Sequence, residues 1–325
     1  MSLPLLVAVM LVAAAMGAGA EIRWQGRAER LSRRTMEVML AWVLPPVYFV
    51  LVSRLQVDAA LLGGIGLAYV VLGIVGVVAW WITARALRLP RRTVGAVVLA
   101  VVLANTGYYG LPLVRTVLGP DELGAAVAWD SLVSGPMFFA VAFAIGAAFG
   151  SADGDDARPG ARVRAFLRNP LLWTAIAALA IPWDASDGLA DVATGIVVAI
   201  LPVGFFVVGV QLASEAEVDP DEVDADGAPP TSAPSAFERL GLAWSPALGV
   251  VLGLRLVVAP LMVVGVSVTV LDLPGGMLLQ AAMPTGLNSL LVAHRFGLDL
   301  RPIAGAIVWT TALMTTGVVV VEVLG

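Results

Sequence analysis

Polar and apolar positions along this chain separate into long blocks. They do not alternate with the period of a surface helix or strand. Apolar runs long enough to cross about 30 Å of hydrocarbon fall at 3–20, 36–53, 60–82, 95–117, 124–149, 169–184, 190–213, 250–271, 277–296 and 302–323. The pattern predicts an all-α polytopic membrane protein with ten transmembrane helices. Two runs are interrupted by polar, glycine- and proline-bearing stretches. The fourth holds Asn105-Thr106-Gly107-Tyr108-Tyr109-Gly110-Leu111-Pro112, and the ninth holds Gln280-Ala281-Ala282-Met283-Pro284-Thr285-Gly286-Leu287-Asn288. In hydrocarbon each unpaired backbone group costs several kcal/mol, so a broken helix there must be satisfied by protein or by a water-filled cavity.

Each break is the fourth of five runs in its half, which suggests a duplicated unit. Pro4-Leu5-Leu6 opens the first run and Pro170-Leu171-Leu172 the sixth, while Leu44-Pro45-Pro46-Val47-Tyr48-Phe49 in the second run parallels Leu201-Pro202-Val203-Gly204-Phe205-Phe206 in the seventh. A five-helix unit is odd, so its second copy inserts upside down. The expected architecture is two inverted repeats, whose matched broken helices point to a transporter's central site. The expected organisation is a first repeat at 1–149, a linker at 150–168 and a second repeat at 169–325 with an acidic loop at 214–246.

Composition agrees with this reading, at 59% hydrophobic and 13% charged residues. Soluble domains are usually about 45–50% apolar and about 25% charged. There is no cysteine and a single histidine, which argues against disulfides, thiol catalysis and histidine- or thiolate-built metal sites. All 19 basic residues are Arg. Sixteen lie in one set of alternating connections and only Arg54 and Arg115 in the other, with Arg255 inside the eighth run and expected to snorkel to the surface. The bias puts the Arg-rich connections in the cytoplasm and both termini outside. Residues 1–20 end in Ala18-Gly19-Ala20 like a cleavable signal, but five Arg follow the apolar stretch and none precedes it, the reverse of signal-peptide polarity.

Residues 215–238 hold eight acidic residues and no basic one. With the absence of Lys, this resembles the solvent adaptation of a halophile, whose self-repulsion is screened by salt. Glu222-x-Asp224-x-Asp226-Gly227 begins like a calcium loop, but its twelfth position is Ala233 and Pro229-Pro230 interrupts it.

At the two breaks, Pro112 and Pro284 each remove a donor and free nearby backbone groups. The helices restarting there offer N–H groups and a positive dipole end suited to a carboxylate. Asn105, Thr106, Gly107, Tyr108, Tyr109, Pro112, Gln280, Pro284, Thr285 and Asn288 are therefore the expected substrate-binding residues. An isolated Asn or Thr in a membrane more often joins helices; it is the pairing of the motifs that favours a site. Asp130, a carboxylate inside the fifth run, is the candidate for ion or proton coupling, against a bland alternative of pairing with Arg115. Glu37 and His294 are expected at the interface.

Asn105-Thr106-Gly107-x-x-Gly110-Leu111-Pro112-Leu113, Ala281-Ala282-Met283-Pro284 with Asn288, and Arg295-Phe296-Gly297-x-Asp299 resemble the auxin efflux carrier family, which groups the plant PIN exporters with bacterial and archaeal permeases. Ala128-Trp129-Asp130 and Asn169-Pro170 resemble it too. The resemblance implies a fold like the bile acid/sodium symporters, with spans one, two, six and seven as scaffold and the others as a mobile transport domain. It implies elevator-like transport at the crossing of spans four and nine, and a homodimer through the scaffold. The linker at 150–168 is much shorter than the regulatory loop of the PIN exporters, and Arg115 departs from the family pattern.

The expected function is thus a secondary transporter of small organic anions such as carboxylates in the cytoplasmic membrane, with sodium or protons as coupling ions. No cofactor, nucleic-acid partner or enzymatic activity is expected. The alternatives are a sodium-coupled symporter of the bile acid type and, more remotely, an intramembrane lipid-modifying enzyme using Asp153-Gly154-Asp155-Asp156.

Overall fold

A computed structural model describes residues 3–54, 58–150, 167, 170–181, 183–216 and 243–324. Residues 217–242 of the acidic loop, with the calcium-like segment at 222–227, and the aspartates of 153–156 lie outside the described residues. Among those described the chain is nearly all helical and contains no strand.

Helices α1 (Leu3–Arg23), α2 (Arg27–Ser53) and α3 (Ala59–Ala86) precede a split pair, α4 (Arg91–Val102) and α5 (Leu111–Val117), and then α6 (123–149). In the second half come α7 (Pro170–Ala180), α8 (Asp187–Ala216), α9 (Pro246–Leu271), a second split pair α10 (Gly275–Ala281) and α11 (Asn288–Arg295), and α12 (Leu300–Leu324). Among the described residues six helices are long and apolar enough to cross a membrane: α1, α2, α3, α8, α9 and α12.

Local signals place the ends. Asp58 caps α3 by accepting from Leu61 N at 2.8 Å, and Ser245 caps α9 by accepting from Leu248 N at 3.1 Å. Both split pairs start after a Leu-Pro step, since Pro90 and Pro274 precede α4 and α10 in the same extended conformation. Two boundaries differ from expectation. Helix α2 begins inside the Arg cluster at Arg27, where Glu21 accepts from Gly26 N at 2.5 Å and Glu29 N at 2.9 Å. Helix α7 ends at Ala180, short of the expected 184.

Packing is tightest between α1 and α8. A Cβ built on Gly17 would stand 2.0 Å from Phe206 O, and one on Gly209 1.9 Å from Ala14 O. Only glycine lets two backbones approach so closely. Helix α7 packs on α2, α10 on α6, and α12 on α4. Helix α4 is buried all round from Val94 to Val102, as suits a helix at the centre of a large bundle.

Candidate functional site

The two breaks meet. Leu103-Ala104-Asn105 runs antiparallel to Pro284-Thr285-Gly286, with Ala104 opposite Thr285. Asn105 N donates to Pro284 O at 2.8 Å and Gly286 N to Leu103 O at 2.9 Å. Each break thus satisfies the other, as hydrocarbon requires. Thr285 is tied further, its N–H to Thr310 Oγ1 at 3.0 Å and its hydroxyl to Ala100 O at 2.9 Å. Gly286 is needed because a Cβ there would lie 2.7 Å from Ala104 O.

The first break sits at Leu103–Asn105, upstream of where Pro112 was expected to cause it. Pro112 instead occupies the first turn of α5, where a missing N–H costs least. Thr106–Gly110 forms a π-helical turn leading into α5, a wide turn that recurs at functional sites.

Arg255 overturns the expectation that it snorkels. It is 1% exposed and donates from Nε to Met283 O at 2.8 Å, from Nη2 to Ala281 O at 3.1 Å and from Nη1 to Val101 O at 3.4 Å. Those carbonyls end α4 and α10, so one guanidinium closes the negative ends of both half-helices.

A cavity of about 1600 Å³ descends from the Arg-rich face to this crossing. Its mouth includes Glu21, Glu37, Arg92, His294 and Arg301, and its floor includes Asn105, Thr106, Gly107, Tyr108, Asp130, Arg255 and Asn288. Among the described residues no side-chain hydrogen bond engages Asn105 or Asn288. Asn105 is buried against its surroundings, whereas Asn288 stands exposed to the space at the start of α11.

The other expected residues stand behind the wall. Gln280, fully buried, donates to Thr106 O and Ala126 O at 3.2 Å each. Tyr109 shares a hydrogen bond with Thr315 Oγ1 at 3.0 Å and meets Phe205 edge-on at 6.0 Å. Pro112, Pro284 and Thr285 are likewise buried and do not line the cavity. Tyr108 presses on α8, where a Cβ on Gly204 would lie 2.6 Å from its own Cβ.

Asp130 begins a π-helical turn in α6. Tyr48 of α2 donates to its Oδ2 at 2.5 Å and Thr106 to its Oδ1, and Thr106 Oγ1 lies 2.9 Å from Ser134 Oγ. These partners, not Arg115, hold the carboxylate. In the sequence Tyr48 stands out only as a repeat marker, and Ser134 and Thr310 do not stand out at all, because a lone hydroxyl in an apolar helix carries no signal of its own. Glu37 and His294 are exposed at the cavity mouth.

The site therefore joins two interrupted helices, a carboxylate and unengaged amides at the end of a deep cavity. That arrangement suits reversible binding of a small polar molecule inside a membrane. No curated protein sequence matches the chain. Residues 163–321, from the linker through most of α12, match the family model described as membrane transport protein, the domain of the auxin efflux carrier family.

Proposed function

We propose that the protein is an elevator-type secondary transporter carrying small organic anions, mono- and dicarboxylates, across the cytoplasmic membrane. The observation that carries this reading is the cavity floor. There Asn105 and Asn288, from different broken helices, offer amides with no side-chain partner among the described residues, beside helices that restart with their positive ends at the site. Arg255 adds the only basic side chain among the named floor residues. The 16-to-2 distribution of Arg supports a cytoplasmic position for the open face, and in this reading the conformation is inward-facing.

The inverted repeat is supported by how the contacts pair. Exchanging the halves, span one for six and so on, turns the α1–α8 contact into α7–α2 and the α10–α6 contact into α4–α12. In this reading α1, α2, α7 and α8 form the scaffold, through which a homodimer assembles, and the remaining helices carry the site. Asp130 is the coupling group. Ionised, it repels a carboxylate on the floor; with a proton bound it does not, so anion and proton travel together. A second reading, sodium coupling of the bile acid type, is favoured by the gathering of Asp130, Thr106 and Ser134 oxygens.

The test is thermal unfolding of the purified protein in high salt against carboxylates and indole acids, with and without sodium. We expect at least one acid to stabilise the wild type, and Asn105→Ala and Asn288→Ala to abolish that shift. A shift that requires sodium assigns the coupling to sodium. Absence of any shift in a folded protein overturns the anion reading.

A further inference from the structure

The crossing is held together by main-chain hydrogen bonds between its two segments. Helices α4 and α10 both stop at it with their C-terminal ends converging, and each end presents carbonyls that no helical N–H can reach. Interrupted membrane helices elsewhere use such carbonyls to bind free monovalent cations. Here Val101 O, Ala281 O and Met283 O, drawn from both halves of the chain, all receive hydrogen bonds from one side chain, Arg255. No acidic side chain pairs with Arg255 among the described residues, although it is 1% exposed. A buried guanidinium without an acidic partner is expensive, so the convergent carbonyls and helix ends must supply its compensation. It also lies in a π-helical turn, Leu252–Val258 of α9, which alters the facing of that segment relative to a regular helix.

We propose that Arg255 is the crossing's built-in cation: a tethered positive charge seated in a carbonyl cradle formed by both broken helices, which makes assembly of the crossing independent of any bound sodium ion. Arg255 is a positioning residue in this role. It holds Met283 and Ala281, and through them the Pro284–Gly286 segment that pairs with Asn105. The inference does not depend on the anion reading, because stability without substrate tests it; failure of one leaves the other standing.

The experiment compares wild type, Arg255→Lys, Arg255→Met and Arg255→Ala as purified full-length protein by thermal unfolding. Chloride salts of choline, potassium, sodium and low-millimolar guanidinium are used at constant ionic strength. The wild-type midpoint is expected to be equal in choline, potassium and sodium. Arg255→Met should lose about 5 °C or more, with Arg255→Lys retaining more of the wild-type stability because it keeps the charge. Guanidinium should raise the midpoint of Arg255→Ala and not that of the wild type. A Met variant as stable as the Lys variant would overturn the proposal, as would a wild type that needs sodium or an Ala variant that guanidinium leaves unchanged. If Arg255→Ala does not fold, the Lys–Met comparison decides.

Discussion

Replacing Gly286 with alanine adds one methyl group at the point where the two broken helices pair. The new Cβ would stand 2.7 Å from Ala104 O and 2.8 Å from Ala104 C, whereas ordinary contact begins at 3.4 Å. Relief therefore requires the segments to part by 3.4 − 2.7 = 0.7 Å. If they separate as rigid pieces, the reciprocal hydrogen bonds lengthen from 2.8 and 2.9 Å to 3.5 and 3.6 Å, past the usual limit of about 3.2 Å. Each buried N–H left unpaired costs about 1–3 kcal/mol, so the substitution should destabilise by about 2–5 kcal/mol after partial relaxation. Gly265→Ala is the control, because nothing lies within 4 Å of the added atom and a helix interior gains about 1 kcal/mol from the change. Thermal unfolding reads stability, and uptake into proteoliposomes reads transport. Gly286→Ala should lose both while Gly265→Ala keeps both. A Gly286→Ala protein with the control's unfolding temperature would mean that the pairing contributes nothing, and the account of the crossing would fail.

Four further outcomes follow from other contacts. Tyr48→Phe keeps the ring but removes the donor to Asp130; it should cost about 1–3 kcal/mol and slow transport, and an unchanged unfolding curve would refute the contact. Thr310→Val removes the acceptor for Thr285 N–H, with an expected loss of about 1–3 kcal/mol that Thr310→Ser should not show. Gly17→Ala drives a Cβ to 2.0 Å from Phe206 O, whereas Gly19→Ala, two residues away, meets nothing within 4 Å; the first should unfold at lower temperature and the second at the same temperature or higher. Arg54→Ala breaks an ion pair with Asp187 of 2.9 Å at the surface, where the partners are 37% and 93% exposed, and should leave the unfolding temperature unchanged at high salt.

Much of this arrangement is legible in the chain itself. Long apolar blocks specify the helices, and Gly286 with Pro284 marks the second break where it occurs. The first break is different. Leu103-Ala104-Asn105 contains neither glycine nor proline, and it opens because Pro284 and Gly286, distant in sequence, hydrogen-bond to it. Local chemistry points to Pro112 instead, a residue that fits a first helical turn without breaking it. Arg255 is hard to place from its neighbours for a related reason. An Arg in an apolar run either snorkels or finds buried acceptors, and its acceptors here come from residues 101, 281 and 283. Gln280 and Tyr109 were readable as polar members of the motifs, yet which of them face the cavity depends on how the helices turn after the break.

The joint between Leu103–Asn105 and Pro284–Gly286 is made of main-chain atoms. Apart from the bare Cα of Gly286 and the Thr285 hydroxyl bonded to Ala100 O, the pairing itself uses no side chain of the two segments. Lining and construction are thereby separated: Asn105, Tyr108 and Asn288 line the floor, while the peptide groups beside them hold it up. Substitution at the exposed Asn288 should consequently leave the protein folded, so that the lining can change there without rebuilding the frame that displays it.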